Sequence, residues 1–133
     1  MLDEDAKKDV KMLLSYDEEE IGSCMTTNYI CIPENLTIRQ AMSELVKQAG
    51  ENDNIMTIYV VDEKGVFAGA IDLKDLIRAR ENTHLEDLVL KSYPYVTDHE
   101  KIDDCMDRIL DYAEDSIPVL SEDKKILGVI TSE

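Results

Sequence analysis

Apolar residues recur twice along the chain at the spacing of one helix face. The first set is Ile38, Ala41, Met42, Leu45, Val46 and Ala49. The second set repeats the same spacing further along the chain and is Ile102, Cys105, Met106, Ile109, Leu110 and Ala113. Apolar positions at i, i+3, i+4, i+7 and i+8 are typical of an amphipathic helix that packs one face on a core. The spacing therefore predicts two helices in equivalent places of a repeat.

Each predicted helix is followed by two short runs that are rich in Val and Ile. The copies align at one constant offset: Val60 with Val119, Gly69 with Gly128, and Ile71 with Ile130. Branched side chains fit the half-buried surface of a pleated strand, so the runs predict strands. A further helix is expected from Asp72 to about Arg80. Each repeat is predicted as β-α-β-β-α in a mixed α/β (α+β) fold with pseudo-twofold symmetry, and the second repeat stops at Glu133 before its last helix.

Short motifs mark the ends of these elements. Thr37 and Gln40 have the spacing of a capping box at the start of the first helix, and Gly50 is expected to end it. Asp62–Gly65 predicts a hairpin turn, because glycine readily adopts positive φ. The first copy is slightly longer between its helix and its strands, and we place the additional residues in the loop at 50–54.

Residues 1–21 precede the repeats. A short helix beginning near Asp9 would present Val10, Met12 and Leu13, and an acidic run at 17–20 follows it. Because so short a segment cannot bury an apolar face by itself, we expect the end of an upstream helical domain or a linker. The predicted division is 1–21 upstream segment, 22–82 first repeat and 83–133 second repeat.

Composition limits the class of protein. A chain of 133 residues is long enough for one compact domain or two very small ones, and no apolar run approaches the roughly 20 residues of a membrane span. No secretory signal peptide is visible. The cysteines Cys24, Cys31 and Cys105 form no CxxC pair, so buried, reduced thiols are expected rather than a metal or redox site.

The net charge of −16 is the most unusual global property. Such a chain repels nucleic acids and anionic lipids, so nucleic-acid binding is not expected. Cations or a basic protein surface are the natural partners of this charge. No catalytic motif with a Ser, Cys or His nucleophile pattern and no phosphate-binding glycine loop occurs, so an enzyme is not expected either.

Acidic residues are concentrated on the polar face of the second predicted helix. At 100° per residue, six of them fall within about a third of the circumference. They are Glu100, Asp103, Asp104, Asp107, Asp111 and Glu114. The polar face of the first helix instead mixes Arg39, Glu44 and Lys47. The bias is therefore a property of the second helix and not of the repeat.

Repulsion along this acidic stripe has an energetic consequence. Each like-charged i,i+4 pair costs roughly 0.2–0.5 kcal/mol, so several pairs cost about 1–2 kcal/mol, against a typical stability of about 5–15 kcal/mol. A divalent cation between carboxylates would remove that repulsion. Mg²⁺ suits loosely facing acids because it keeps several waters and needs only one or two direct carboxylates. A solvated face that only keeps the protein soluble is the alternative interpretation.

The duplicated unit resembles the CBS domain pair, also called a Bateman module. The matching pattern ends each second hairpin: Gly69-Ala-Ile-Asp-Leu-Lys-Asp75 in the first copy and Gly128-Val-Ile-Thr131 in the second. In this family the Thr or Ser and the Asp contact the ribose and phosphate of adenosine nucleotides. The resemblance implies that Asp75 and Thr131 are candidates for binding ATP or AMP. The first copy departs from the pattern because Asp72 stands where Thr or Ser is expected.

A narrower resemblance is to MgtE-type magnesium transporters. It rests on the segments 13–16, Gly22-Ser-Cys-Met-Thr-Thr-Asn-Tyr29, 59–65 and 71–77. It implies a homodimeric CBS pair on the cytoplasmic side of the cell membrane, preceded by an N-terminal domain and followed by a connecting helix and a pore.

In that setting the acidic stripe would sense intracellular Mg²⁺ and gate transport. Weaker candidate ligands are four other acids: Asp62, Glu63, Asp72 and Asp75. The sequence leaves open a nucleotide-sensing module of another protein and a dimerisation domain without a ligand.

Overall fold

The structure, a computed structural model, describes residues 16–80, 82–111 and 116–131. The first repeat contains strand β1 (Ile30–Pro33), helix α1 (Ile38–Ala49), strands β2 (Thr57–Val61) and β3 (Phe67–Asp72), and helix α2 (Leu73–Arg78). The second contains β4 (Val96–Thr97), helix α3 (Ile102–Asp111), β5 (Ser116–Leu120) and β6 (Ile126–Thr131). A 3₁₀ turn lies near the start of each repeat, at Ile21–Cys24 and at Leu85–Leu88.

The described residues form two three-stranded sheets, in the orders β1-β2-β3 and β4-β5-β6. In the first sheet β1 is parallel to β2, with Ile30 opposite Ile58, and β2 is antiparallel to β3, with Ile58 opposite Ile71. In the second sheet β4 is parallel to β5, with Val96 opposite Val119. The predicted mixed fold and the predicted order of elements are confirmed.

The described chain divides into two compact units that do not follow the repeat boundaries. The first unit comprises Asn28–Tyr93 and Asp123–Ile126. The second comprises the described residues up to Thr27, Pro94–Glu122 and the residues from Leu127 onward. Residues 16–27 therefore pack with the second repeat, and residues 83–93 pack with the first; these are called the exchanged segments. The boundaries predicted at 21 and 82 divide the sequence into its repeats, and the compact units of the fold are divided at other residues.

Two equivalent backbone bridges hold these exchanged segments. In the second unit Thr26 and Val129 exchange hydrogen bonds of 2.8 and 2.9 Å. In the first unit Leu90 and Ala70 do the same, with the Leu90 N–H 2.7 Å from the Ala70 carbonyl. Thr26 and Leu90 occupy matching positions ahead of their helices, and Ala70 and Val129 each follow the glycine of the repeated motif. The two bridges are therefore related by the repeat.

A glycine stands beside each bridge for a steric reason. A Cβ on Gly128 would lie 2.8 Å from the Thr26 carbonyl oxygen and 2.9 Å from the Met25 sulfur. A Cβ on Gly69 would lie 2.6 Å from the Leu90 carbonyl oxygen. The backbone at Thr26 or Leu90 could move away from such a Cβ only by breaking its hydrogen bonds to Val129 or Ala70. The glycine of the repeated motif is thus required by the close approach of an exchanged segment.

Each unit has its own apolar core. In the first unit, α1 and α2 pack on the sheet, and the buried cluster includes Ile32, Ala41, Leu45, Ile58 and Leu76. In the second unit, the 3₁₀ segment supplies Ile21 and Met25 to a cluster with Val96, Cys105 and Val119. Residues at 21 and 25 therefore complete the core of the second repeat. Among the described residues, no helix is long and apolar enough to span a membrane.

The predicted helix signals are present with small differences. Thr37 and Gln40 form the complete capping box of α1. Gly50 does end that helix, but with φ −65° and ψ −22°, so no left-handed conformation is involved. Helix α2 ends at Arg78 rather than Arg80, because the Ala79 backbone is extended. The short helix expected near Asp9 lies outside the described residues, as does Ala113.

Two expectations about burial need correction. Val46, assigned to the apolar face of α1, is 67% exposed, because that face is wider than the area covered by the sheet. Cys24 is exposed, whereas Cys105 is buried and Cys31 is half-buried. Burial raises the pKa of the Cys31 thiol to about 11, so this thiol is unreactive at neutral pH.

Substitution of Gly128 tests the close approach of the exchanged segment. We expect Gly128→Ala to destabilise the protein by about 1–3 kcal/mol, because the new methyl group meets backbone that cannot move. Gly50→Ala is the matched control: its Cβ would approach only the Lys47 carbonyl oxygen at 3.5 Å, and we expect it to stabilise by about 0.4–1 kcal/mol. Urea unfolding measures both. Equal effects of the two substitutions would contradict the steric argument.

Candidate functional site

Helix α3 is fixed in rotation by its apolar side. Cys105 is fully buried, and Ile102 and Ile109 pack against the cluster that contains Ile21 and Val96. At the N-terminal end, the Glu100 carboxylate accepts a hydrogen bond of 2.7 Å from the Thr97 N–H. The opposite side of the helix is thereby held outward. Glu100, one of the six predicted acids, therefore binds a backbone N–H group of β4.

Three of the predicted acids lie together on the outward side of α3. Asp103, Asp104 and Asp107 are exposed, and none is paired with a basic side chain in the part of the chain that is described. Asp111 lies in the last position of α3, but its side chain is outside the described residues, and so is Glu114. The name "acidic face" is used below for Asp103, Asp104 and Asp107.

The three carboxylates of the acidic face differ in their helix environment. Asp103 and Asp104 occupy the first turn, where unpaired N–H groups and the helix dipole favour negative charge. Asp107 lies one turn further along, where the helix N-terminus does not stabilise its charge. It is also four residues after Asp103 and three after Asp104, so their negative charges repel it. Asp107 is therefore the least favourable carboxylate of the three.

A cavity of about 380 Å³ extends the acidic surface toward the exchanged segment. Its walls are Glu18, Glu19, Lys101, Ile102, Asp103 and Asp104. The only ion pair described there joins Lys101 Nζ to Glu19 Oε2 at 3.8 Å, and both side chains are about half or more exposed, so it contributes little. The sequence pattern places Glu18 and Glu19 in a separate upstream run. The Glu20–Lys101 bridge and the hydrogen bond from the Ile102 N–H to the Glu19 carbonyl bring them here.

The described acids of the acidic face are separated from one another. Within residues 16–80, 82–111 and 116–131, no three acidic, His or Cys side chains converge closely enough to hold a metal ion. The acidic face thus offers separated oxygen ligands rather than a cage. Such ligands suit a hydrated Mg²⁺ that is bound through few direct carboxylates or shared with another surface.

The four weaker candidates divide into two kinds. Asp62 Oδ1 accepts hydrogen bonds from the N–H groups of Lys64 (2.8 Å) and Val66 (3.0 Å), so it stabilises the β2–β3 turn in which Gly65 has φ 84°. Asp72 Oδ1 accepts a bond of 3.1 Å from the Lys74 N–H and caps α2. Glu63 and Asp75 are exposed.

The two nucleotide candidates belong to different units. Asp75 lies in the first turn of α2 in the first unit, and Thr131 ends β6 in the second. Asp72 fills the helix-cap role that the Ser or Thr of the family pattern would also fill, since all three side chains cap helices well. The departure at position 72 is therefore compatible with the local fold.

An apolar groove on the first unit was not anticipated from the sequence. It has a volume of about 450 Å³ and is lined by Ile38, Arg39, Met42, Ser43, Val46, Leu76, Ile77 and Ala79. Val46 and Ile77 are 67% and 63% exposed, on α1 and α2 respectively. Both residues are apolar, but the sequence could not show that the two helices leave them uncovered in the same groove.

Comparison with known proteins identifies relatives of the chain. A model of the CBS domain matches residues 19–82 and 85–133. The magnesium transporter MgtE of Thermus thermophilus is 33% identical over 134 residues, which cover 98% of this chain and 29% of the transporter. These relatives are transporters, which agrees with the expectation of a domain that is not an enzyme.

Solved structures agree with the sequence comparison. The soluble part of a magnesium transporter superimposes with a TM-score of 0.90 at 33% identity, covering 98% of this chain and 51% of that one. The cytosolic domain of the Mg²⁺ channel MgtE in complex with ATP gives a TM-score of 0.89 at 31% identity, covering 98% and 52%. The chain thus spans about three tenths of the curated transporter and about half of the solved fragments.

Substitution of Asp72 separates a capping role from a ligand role. We expect Asp72→Ala to destabilise by about 1 kcal/mol, because the Lys74 N–H loses its acceptor, and Asp72→Ser to remain within a few tenths of wild type. Thermal unfolding with and without MgCl₂ measures both effects. A serine variant that keeps its stability but loses a Mg²⁺-dependent shift would assign Asp72 to a metal site instead.

Proposed function

The chain belongs to the CBS domain family, and we propose that this CBS pair senses intracellular Mg²⁺ and gates an MgtE-like transporter. In this proposal the pair lies on the cytoplasmic side of the membrane. An N-terminal domain precedes it and a connecting helix and pore follow it in the same polypeptide. The observation that carries the proposal is the acidic face, whose three carboxylates are exposed and unpaired in the described part of a chain of charge −16.

The proposed ligands are Asp103, Asp104 and Asp107, with Asp111 continuing the same helix. Glu100 is not among them, because its carboxylate already accepts the Thr97 N–H. Two acidic faces, or one face and an acidic neighbouring domain, repel each other when Mg²⁺ is scarce. Bound Mg²⁺ removes the repulsion and lets the surfaces approach.

Such a switch works only through a difference in affinity. A cation that bound the open and closed arrangements equally would shift nothing, however tightly it bound. Carboxylates that face each other across a closed contact bind the cation more tightly than the separated ones seen in a single copy. The absence of a three-ligand cluster among the described residues of one copy fits a site that is completed on closure.

We propose that the chain forms a homodimer through the apolar groove of the first unit. Val46 and Ile77 present adjoining apolar side chains from two helices, and burying them against a second copy would remove both from water. A twofold contact places the same surface of each copy against the other, so one groove supplies both halves of the interface. Repulsion between two chains of charge −16 then makes dimer stability depend on cations.

An adenosine nucleotide is the second candidate ligand. The MgtE domain described above was solved with ATP, and Asp75 of this chain is exposed at the position of the family's acid. Asp72 adds a carboxylate near the place of the phosphate, which is unfavourable unless a cation accompanies the nucleotide. ATP is therefore expected to bind better with Mg²⁺ present than without it.

Magnesium binding is tested by thermal unfolding of wild type and two aspartate variants. We expect millimolar MgCl₂ to raise the melting temperature beyond NaCl of equal ionic strength, and both Asp103→Asn and Asp107→Asn to reduce that shift. Without Mg²⁺, Asp107→Asn should stabilise by about 0.5 kcal/mol because it relieves i,i+3 and i,i+4 repulsion. Asp103→Asn should not stabilise, because it also loses a favourable charge at the helix N-terminus.

The matched control is Asp123→Asn, an exposed acid in the turn before β6. It should leave the Mg²⁺ shift unchanged. A wild-type melting temperature that responds equally to MgCl₂ and NaCl would overturn the sensing proposal. Parallel melts with ATP or AMP, each with and without Mg²⁺, identify a nucleotide module if only the nucleotide raises the melting temperature.

The dimer is tested by sedimentation equilibrium of groove variants. Val46→Asp and Ile77→Asp should convert a wild-type dimer to monomer, because each places a charge in the centre of the proposed interface. Met56→Asp is the matched control, since Met56 is 53% exposed but does not line the groove. Dissociation by the control, or persistence of the dimer in both groove variants, would refute this interface.

A further inference from the structure

Four polar side chains meet where the exchanged segment reaches the second unit. His99 Nδ1 lies 2.5 Å from Glu20 Oε2, and His99 Nε2 lies 3.5 Å from Asp98 Oδ2. The Tyr16 hydroxyl donates a hydrogen bond of 2.8 Å to Asp98 Oδ2, and its ring centroid is 5.3 Å from that of His99. One imidazole thus contacts two carboxylates, one on the exchanged segment and one on the loop before α3.

The two carboxylates are well enclosed although the imidazole is not. The side chains of Glu20 and Asp98 are 13% and 10% exposed, whereas that of His99 is 60% exposed. Protons therefore reach the ring freely, while the acids that bind it are held in place. Two backbone hydrogen bonds join the same two segments. The Ile21 N–H donates to the Glu100 carbonyl (2.8 Å), and the Ile102 N–H donates to the Glu19 carbonyl (2.7 Å).

We propose that His99 is a proton-operated latch that fastens the segment 16–20 to the second unit. When the imidazole is protonated, Nδ1 donates to Glu20, and the positive ring also attracts the Asp98 carboxylate, which lies 3.5 Å from Nε2. When it is neutral, one ring nitrogen has no proton to donate, and the two carboxylates repel each other across it. Ile21 and Met25 are buried in the core of the second unit, so we expect release of the latch to free the segment before Ile21 while these two side chains hold the rest in place.

The charges around His99 favour its protonated form. Glu20 on the exchanged segment, Asp98 beside it in the chain and Glu122 after β5 are the carboxylates that act on it. The pKa of His99 is raised first by its hydrogen bond to Glu20 and then by the charge of Asp98. The pKa of Glu20 is lowered, by a backbone hydrogen bond at Asp17, by His99 and by the nearby Lys101. Burial and Asp98 raise the pKa of Tyr16 to about 12, so its hydroxyl remains a donor throughout.

The direction of the pH effect follows from these shifts. Because the folded-state pKa of His99 is raised, its stabilising contribution is fully present below the ordinary histidine pKa of about 6.5. That contribution is lost as the pH rises through the raised pKa. The Glu20 contribution is lost only in acid, as the pH falls through its lowered pKa. The latch is therefore closed in mildly acidic solution and opens as the pH rises through the raised pKa of His99.

Amide hydrogen exchange by NMR reads the latch directly. The reporter is the N–H group of Ile102, whose partner is the Glu19 carbonyl on the latched segment. Measured without divalent cations, its protection factor should fall by at least roughly twofold between pH 6 and pH 8.5, after correction for intrinsic exchange, while the Ile21 amide stays protected. In His99→Gln the protection should be low and independent of pH. His84→Gln, at the other histidine, should behave as wild type.

A second variant keeps the test decisive. In Glu20→Gln the imidazole C–H resonances of His99 should titrate at lower pH than in wild type, and the pH dependence of the Ile102 amide should weaken. A wild-type protection profile that is flat with pH, or an unchanged His99 titration in Glu20→Gln, overturns the latch. Because Mg²⁺ is absent throughout, these outcomes are independent of the magnesium-sensing proposal.

Discussion

The fold depends on the reciprocal exchange of two extended segments between the repeats. Each segment bridges the last strand of the other repeat, Thr26 with Val129 and Leu90 with Ala70, and each approaches so closely that the neighbouring position must be glycine. A repeat of this size buries a smaller fraction of its surface than a larger domain does, so its stability alone is marginal. The exchanged segments add apolar side chains and satisfy backbone groups at the edge of each sheet.

The same exchange determines the surface on which function is proposed. Ile21 and Met25 complete the core under α3, and their burial fixes which side of that helix faces outward. The acidic face, the cavity beside it and the His99 contact therefore share one structural origin. The exchanged segment, residues 16–27, brings its own carboxylates close to those of α3, although the two are far apart along the chain.

Periodicity was a reliable guide to elements and a poor guide to exposure. The capping box at Thr37 and Gln40 and the strands around Ile58 and Val119 could be predicted because each depends on local geometry or on a two-residue alternation. Val46 fits the apolar stripe of α1 but is exposed, since the width of a stripe does not show how much of it a neighbour covers. The acidic bias of α3 was visible in the sequence, but the hydrogen bond from the Thr97 N–H to the Glu100 carboxylate was not.

Composition, spacing and local motifs were enough to predict the duplication, the order of helices and strands, the family and the negative charge, because each of these depends on residues close together in the chain. The folded chain was needed to show that residues 16–27 pack with the second repeat and that Glu18 and Glu19 adjoin α3. It was needed equally to show that four side chains meet, namely Tyr16, Glu20, Asp98 and His99. These contacts join residues that are far apart along the chain. They follow from which backbones pair, and no local pattern of side chains specifies that pairing.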